Sequence, residues 1–80
     1  MAKDRDVFDE LAEKWESTLV ARKVFDKFSG GAVAPKQLAN LDSLGEGPVE
    51  RYVIGGHVCY SVKAAVAFLR SRSRKLVGGE

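Results

Sequence analysis

Four polar side chains in the middle of the chain have the types and spacing needed to contact DNA bases. The segment APKQLANLDSL predicts a helix over residues 35–44, because Pro35 suits the first helical position. Its solvent face would carry Lys36, Gln37, Asn40 and Ser43. Asn and Gln side chains can pair bidentately with adenine in the major groove. On residue types alone, however, a solvated polar helix face is the commoner explanation.

Cations gather toward the C-terminal end of the sequence. Residues 51–80 hold six basic residues and one acidic residue, whereas residues 1–16 hold three basic and six acidic residues. This asymmetry favours a polyanionic partner. The candidate contacts to a phosphate backbone are Arg51, Gly56, His57, Arg70 and Arg72. For the last two, a favourable interaction with a helix dipole is the alternative, and Arg22 and Lys23 are open to both explanations.

No catalytic, metal or cofactor site is predicted. His57 and Cys59 are the only histidine and the only cysteine of the sequence, so a zinc site would lack further ligands of these types. A catalytic Cys–His pair is poorly supported as well, because adjacent positions on a hairpin offer no cleft and no orienting group. We therefore expect no enzyme, no cofactor and no small-molecule substrate.

Length and composition are those of a small soluble domain. The chain has 80 residues, of which 45% are hydrophobic and 30% are charged, and this suffices for one modest core. No apolar run approaches the length of a membrane span, and no signal peptide is evident. A single cysteine fits a reducing compartment. We expect a cytoplasmic protein without a membrane partner.

Helical periodicity predicts the elements that position these residues. Residues 1–18 should form an amphipathic helix that packs on the domain through Phe8, Leu11 and Trp15. The segment LVARKVFDKF, residues 19–28, continues the helical pattern and ends at a glycine pair. Ser61 is a suitable N-cap for the last helix, and residues 71–80 should be a basic, frayed tail.

Between the last two helices, RYVIGGHVCY predicts a β-hairpin over residues 51–60. A two-residue loop would pair Ile54 with His57, and a three-residue loop would pair Ile54 with Val58. Only the second register gives one consistently apolar face, and it is therefore the one predicted. That face would consist of Tyr52, Ile54, Val58 and Tyr60.

The order helix, helix, helix, hairpin, helix resembles the excisionase-like, MerR-type winged helix-turn-helix domains of phages and mobile elements. The resemblance covers residues 19–70 and lies in the features Pro35, Leu38-Ala39-Asn40, Gly45-Glu46-Gly47-Pro48, Ile54-Gly55, Tyr60 and Phe68-Leu69. It implies a mainly α fold with a small two-stranded β-hairpin, preceded here by an extra N-terminal helix. It also implies a DNA-binding protein, an excisionase-like factor or a transcriptional regulator. Helix 35–44 would then read the major groove of double-stranded DNA, and wing 51–60 would contact the backbone.

The sequence departs from this family where basic residues usually meet phosphates. Those positions hold Asp42, Leu44, Gly56, His57 and Cys59. The alternative function is accordingly a protein–protein interaction module that has kept the fold and lost DNA binding. A second copy or a protein partner would then bind through the Trp15 helix or through Leu44.

Overall fold

The computed structural model describes residues 6–74, so residues 1–5 and most of the predicted tail 71–80 lie outside the described residues. Four α-helices and a three-stranded antiparallel sheet make up this part of the chain. In chain order the elements are α1 (Val7–Lys14), β1 (Leu19–Ala21), a 3-10 turn (Arg22–Val24), α2 (Phe25–Phe28), α3 (Pro35–Ser43), β2 (Arg51–Ile54), β3 (His57–Ser61) and α4 (Val62–Ser71).

The prediction of a two-stranded sheet was incomplete, because a third strand precedes α2. Residues 19–21 form β1 rather than the start of a helix, and β1 pairs antiparallel with β3, with Val20 opposite Tyr60. Both side chains are fully buried. Leu19 and Val20 belong to the helical pattern that continues with Val24, Phe25 and Phe28, and this pattern suggested a helix. Burial of Val20 beside Tyr60 favours the extended conformation instead. The strand order is β1-β3-β2.

The predicted hairpin is confirmed, but its predicted register is wrong. Ile54 pairs with His57 and Tyr52 with Cys59, so the loop has two residues, Gly55 and Gly56. Their φ angles of 59° and 81° suit the tight turn whose twist matches that of the flanking strands. An apolar face on β2 is not required, because all of its residues are exposed and β1 shares the core with β3 instead.

The helix boundaries around the hairpin agree with the sequence patterns. Pro35 is the first residue of α3, and Gly45 follows its C-cap residue Leu44. Ser61 caps α4: its hydroxyl oxygen accepts a hydrogen bond of 3.1 Å from the backbone N–H of Ala64. The N-cap position of α3 is Ala34, which has no side-chain acceptor to offer.

Helix α1 packs on α4 through its apolar face. The Asp6 carboxylate caps the helix by accepting from the N–H groups of Phe8 and Asp9. Trp15 follows the helix, and its ring meets Phe28 edge to face with centroids 5.2 Å apart. Its indole N–H donates to the carbonyl of Leu19 at 2.8 Å. None of the helices described between residues 6 and 74 has the length and apolar character needed to cross a bilayer.

Candidate nucleic-acid interface

The four polar side chains predicted on α3 all lie on its solvent-exposed surface, which we call the polar face of α3: Lys36, Gln37, Asn40 and Ser43. Leu38, on the opposite side, is fully buried and holds the helix on the core. The Ser43 hydroxyl donates to the carbonyl of Asn40 at 2.8 Å, so it is available to a ligand only as an acceptor. Within residues 6–74, the Lys36 and Asn40 side chains have no hydrogen-bond or ion-pair partner.

The hairpin tip lies beside the N-terminal end of α3. Between them is a shallow cleft of about 260 Å³, the tip cleft, lined by Arg22, Lys23, Pro35, Gly56, His57 and Val58. Its lining contains two permanent cations and no carboxylate. The free N–H groups at the start of a helix add partial positive charge on the same side. A region of this kind is suited to phosphate groups.

Asp42 does not face outward where a phosphate-binding cation was expected. Its side chain is only 6% exposed and lies between two arginines. Arg22 Nη2 is 2.6 Å from Asp42 Oδ2, and Arg51 Nη1 is 3.3 Å from Asp42 Oδ1. The Tyr60 hydroxyl donates to Asp42 Oδ2 and accepts from Nε of Arg22. These four residues form what we call the Asp42 cluster, which ties α3 to β2, β3 and the turn after β1.

The Asp42 cluster shifts the proton affinities of two of its members. Burial, together with the hydrogen bond to the Asp42 carboxylate, raises the pKa of Tyr60 to about 12. Hydrogen bonds to Tyr60 and Asp42 raise the pKa of the Arg22 guanidinium above its ordinary value. Tyr60 therefore stays neutral and Arg22 stays charged at physiological pH. Both side chains hold the Asp42 carboxylate in place.

Gly47 has a steric role in the corner that follows α3. A Cβ atom built on Gly47 would lie 1.8 Å from Asp42 Oδ1 and 3.0 Å from Asp42 Cγ. No side chain fits there unless the carboxylate moves. The same Oδ1 atom is buried and accepts no hydrogen bond, although the Arg51 cation lies beside it. The second glycine of the Gly-x-Gly-Pro segment therefore leaves room for the Asp42 cluster.

The three arginines predicted to contact the DNA backbone make ion pairs or ring contacts within the protein. Arg51 is paired with Asp42, as described above. Arg70 lies 2.5 Å from Asp6 Oδ2 and 3.5 Å from Asp9 Oδ1, and its guanidinium covers the Phe8 ring. Arg72 lies over the Phe68 ring at 5.6 Å. Arg70 therefore fastens α1 to α4, and neither Arg70 nor Arg72 lines the tip cleft.

The two candidate partner-binding residues differ in their surroundings. Trp15 is largely packed on the domain, as its contacts with Phe28 and Leu19 show. Leu44 is 69% exposed at the end of α3. Further apolar side chains are exposed along and just before β2: Val49, Tyr52, Val53 and Ile54. An exposed apolar edge strand is a common site of protein contact.

His57 and Cys59, two residues apart on β3, differ in exposure. Cys59 is buried in β3, while His57 is exposed at the hairpin tip. In the part of the chain that the structure describes, no three histidine, cysteine, aspartate or glutamate side chains are grouped closely enough to hold a metal ion. His57 thus remains a candidate only through its place in the tip cleft.

The sequence patterns left Lys23 open between a phosphate contact and a helix-dipole interaction, and they assigned no role to Asp42. Lys23 lies in the 3-10 turn, and its place beside the hairpin tip depends on the unexpected strand β1. Asp42 lies at a position that helical periodicity leaves ambiguous. No sequence signal identified this role, because the contact between Gly47 and the Asp42 carboxylate is visible only in the structure.

Comparison with known proteins gave no matching family model, no similar curated protein and no similar solved structure.

Proposed function

We propose that the chain is a small protein that binds double-stranded DNA. Helix α3 would enter the major groove with its polar face, and the hairpin tip would contact the adjacent backbone. The observation that carries this proposal is the tip cleft, whose lining unites the start of α3, the hairpin tip, Lys23 and the Asp42-paired Arg22. An excisionase-like factor or a transcriptional regulator of a mobile element is the type of protein that the sequence resemblance favours.

The arrangement of the helices supports the proposal. Helix α2 ends at Phe28, a short turn follows, and α3 begins at Pro35, after which the chain enters the hairpin. In a helix-turn-helix the second helix lies in the groove, and residues near its N-terminus contact base edges. Lys36, Gln37 and Asn40 have that position on α3 and are exposed. Gln37 and Asn40 supply two amides for contacts with base edges, and Lys36 supplies a cation.

The ion pairs described above indicate which cations would contact phosphates. Arg22, Arg51 and Arg70 already have carboxylate partners, so we leave them out of the proposed phosphate contacts. Lys23 and Lys36 remain: Lys23 lines the tip cleft, and Lys36 lies on the first turn of α3. Two phosphate contacts correspond to a log–log salt slope of about −1.8 for one copy, because each contributes about −0.9.

The salt dependence of binding to a labelled duplex tests this proposal. Lys23→Gln and Lys36→Gln should each reduce the magnitude of the slope by about 0.9, because each removes one phosphate contact. Lys14→Gln is the matched control: it removes the same charge from α1 and should leave the slope unchanged. Fluorescence anisotropy at several salt concentrations measures all four proteins.

The result for Arg70→Gln separates this interface from the one expected on sequence alone. We expect its slope to equal that of the wild type, because Arg70 is paired with Asp6 and Asp9. A loss of slope with Arg70→Gln or Lys14→Gln, and none with Lys23→Gln, would contradict the proposed interface. Absence of binding at low salt would contradict DNA binding altogether.

A protein-interaction module is the second candidate function. The observation that favours it is the exposed apolar surface of Val49, Val53 and Leu44, which are 92%, 74% and 69% exposed. Exposure of such apolar side chains to water is unfavourable, and a protein partner that covers them would remove this cost. Two results together would support this candidate. Duplex DNA would produce no amide shifts, and Val53→Lys would abolish the association with a protein partner that binds the wild type.

A further inference from the structure

A second cavity lies away from the tip cleft, between α1, the α2–α3 loop and α4. It has a volume of about 710 Å³, within the range of about 300–1,000 Å³ typical of small-molecule sites. Its walls are mainly apolar and include Phe8 and Leu11 of α1, Phe28 and Val33 beside α2, and Leu69 of α4. We call it the α1–α4 cavity. Of its lining residues, only Gln37 is also assigned to the proposed DNA contacts.

The charged groups of this cavity are both positive. Lys27 and Arg72 belong to its lining, whereas no aspartate or glutamate does. Among residues 6–74, neither cation has an ion-pair partner. The Arg72 guanidinium lies over the ring of Phe68, which also lines the cavity, and its position at the wall is thereby stabilised.

From these two features we propose that the α1–α4 cavity binds a small single-chain amphiphile with one anionic head group, of the fatty-carboxylate class. The acyl chain would occupy the apolar space against Phe28 and Leu69. The carboxylate would lie between the Lys27 ammonium and the Arg72 guanidinium, whose planar fork suits carboxylate oxygens. Charge complementarity selects an anion over a cation of the same shape, and the cavity volume favours one short chain over a two-chain lipid.

Backbone amide shifts of the labelled protein during titration with decanoate test this proposal. We expect saturable shifts at Phe28, Val33 and Leu69, whose side chains line the cavity. Octanoate should bind roughly tenfold more weakly, because it lacks two methylene groups that would be buried. Decyltrimethylammonium has the same tail and the opposite charge, and it should not shift these amides at the same concentrations.

A charge variant tests the role of the two cations. Lys27→Gln with Arg72→Gln should weaken decanoate binding by about tenfold or more, because charge-assisted hydrogen bonds are lost. The binding of decanol, which has no charge, should change little. Lys14→Gln with Lys63→Gln removes the same net charge outside the cavity and should leave decanoate binding unchanged.

Either of two results would overturn the proposal. One is the absence of saturable shifts at the cavity amides below the concentration at which decanoate forms micelles. The other is equal binding of decanoate by the wild type and the Lys27/Arg72 double variant. Neither readout involves DNA, so a negative result here leaves the proposed function untouched.

Discussion

At the scale of single residues, Asp42 joins α3 to the sheet and to the turn after β1. Its carboxylate connects Arg22, Arg51 and Tyr60, which come from three different elements. Where the resemblance implied a lost phosphate contact, the structure has an inward-facing group that holds α3 against the sheet. Removing one member of such a cluster is costly, because the partner charges remain partly buried.

Gly47→Ala should destabilise the protein by about 1–3 kcal/mol, the usual cost of forcing atoms into a filled site. The added Cβ would lie only 1.8 Å from Asp42 Oδ1, so it would displace the carboxylate. In an Asp42→Ala background, Gly47→Ala should cost much less, because the clash is absent. Urea unfolding of the four proteins measures this coupling. Equal costs in both backgrounds would show that the carboxylate does not restrict residue 47.

Tyr60 should make stability fall in alkaline solution. Its pKa is raised from the unfolded value near 10 to about 12, chiefly by burial. Below pH 10 both states keep the proton, so the contribution is complete. Between about pH 10 and pH 12 the unfolded chain ionises first, and the free energy of unfolding decreases.

Tyr60→Phe provides the comparison, since it removes the ionisation and leaves Tyr52 and the lysines to titrate in both proteins. The difference in unfolding free energy between wild type and variant should shrink as the pH rises through this window. Urea unfolding at several pH values measures it. Parallel curves would show that the folded state does not retain the Tyr60 proton.

At the scale of elements, the start of α3 lacks a capping side chain. Ala34 occupies the N-cap with φ −82° and ψ 153°, a conformation suited to a capping side chain, but it has no acceptor. The nearest substitute is the Gln37 side chain, whose Oε1 atom is 3.5 Å from the Ala34 nitrogen. The helix that would read DNA therefore begins with unsatisfied donors.

Ala34→Ser should raise the free energy of unfolding by about 1 kcal/mol, because the serine hydroxyl can accept from an N–H of the first turn. Ala32→Ser, in the preceding loop, is the matched control and should have almost no effect. Thermal or urea unfolding measures both. A destabilised Ala34→Ser protein would mean that these N–H groups are already satisfied in solution.

The elements also show which parts of the fold could be predicted from the sequence. Pro35 and Ser61 mark helix starts through local chemistry, and both predictions are confirmed. Strand β1 could not be predicted, because its conformation depends on Tyr60, some forty residues later in the chain. The register failed for a related reason: burial on β1 removed the need for an apolar face on β2.

The candidate site could also be predicted only in part from the sequence. The polar face of α3 follows from helical periodicity around Leu38, which local sequence reveals. The tip cleft does not, because Lys23 and His57 meet only through the sheet. The ion pairs of Arg51 and Arg70 could not be predicted either. Asp6 is more than sixty residues from Arg70, and the helical pattern did not place the Asp42 side chain on the buried side of α3.

At the scale of the whole molecule, charge and apolar surface are separated. The tip cleft and the polar face of α3 offer cations and amides, whereas the exposed strand β2 and Leu44 offer apolar contacts. The α1–α4 cavity meets the polar face of α3 only at Gln37, and it is lined on one side by α1, which the Arg70 ion pairs attach to α4. This separation allows DNA binding, a protein contact and ligand binding to be tested independently.

The amide shifts of the labelled protein during titration with a mixed-sequence duplex at low salt test the central claim most directly. We predict that the changes cluster at Lys23, Lys36, Gln37, Asn40 and the hairpin tip, because these groups surround the tip cleft or form the polar face of α3. Amides of α1 should remain unchanged. Changes confined to α1 and α4, or no changes at any DNA concentration, would contradict the proposed DNA interface.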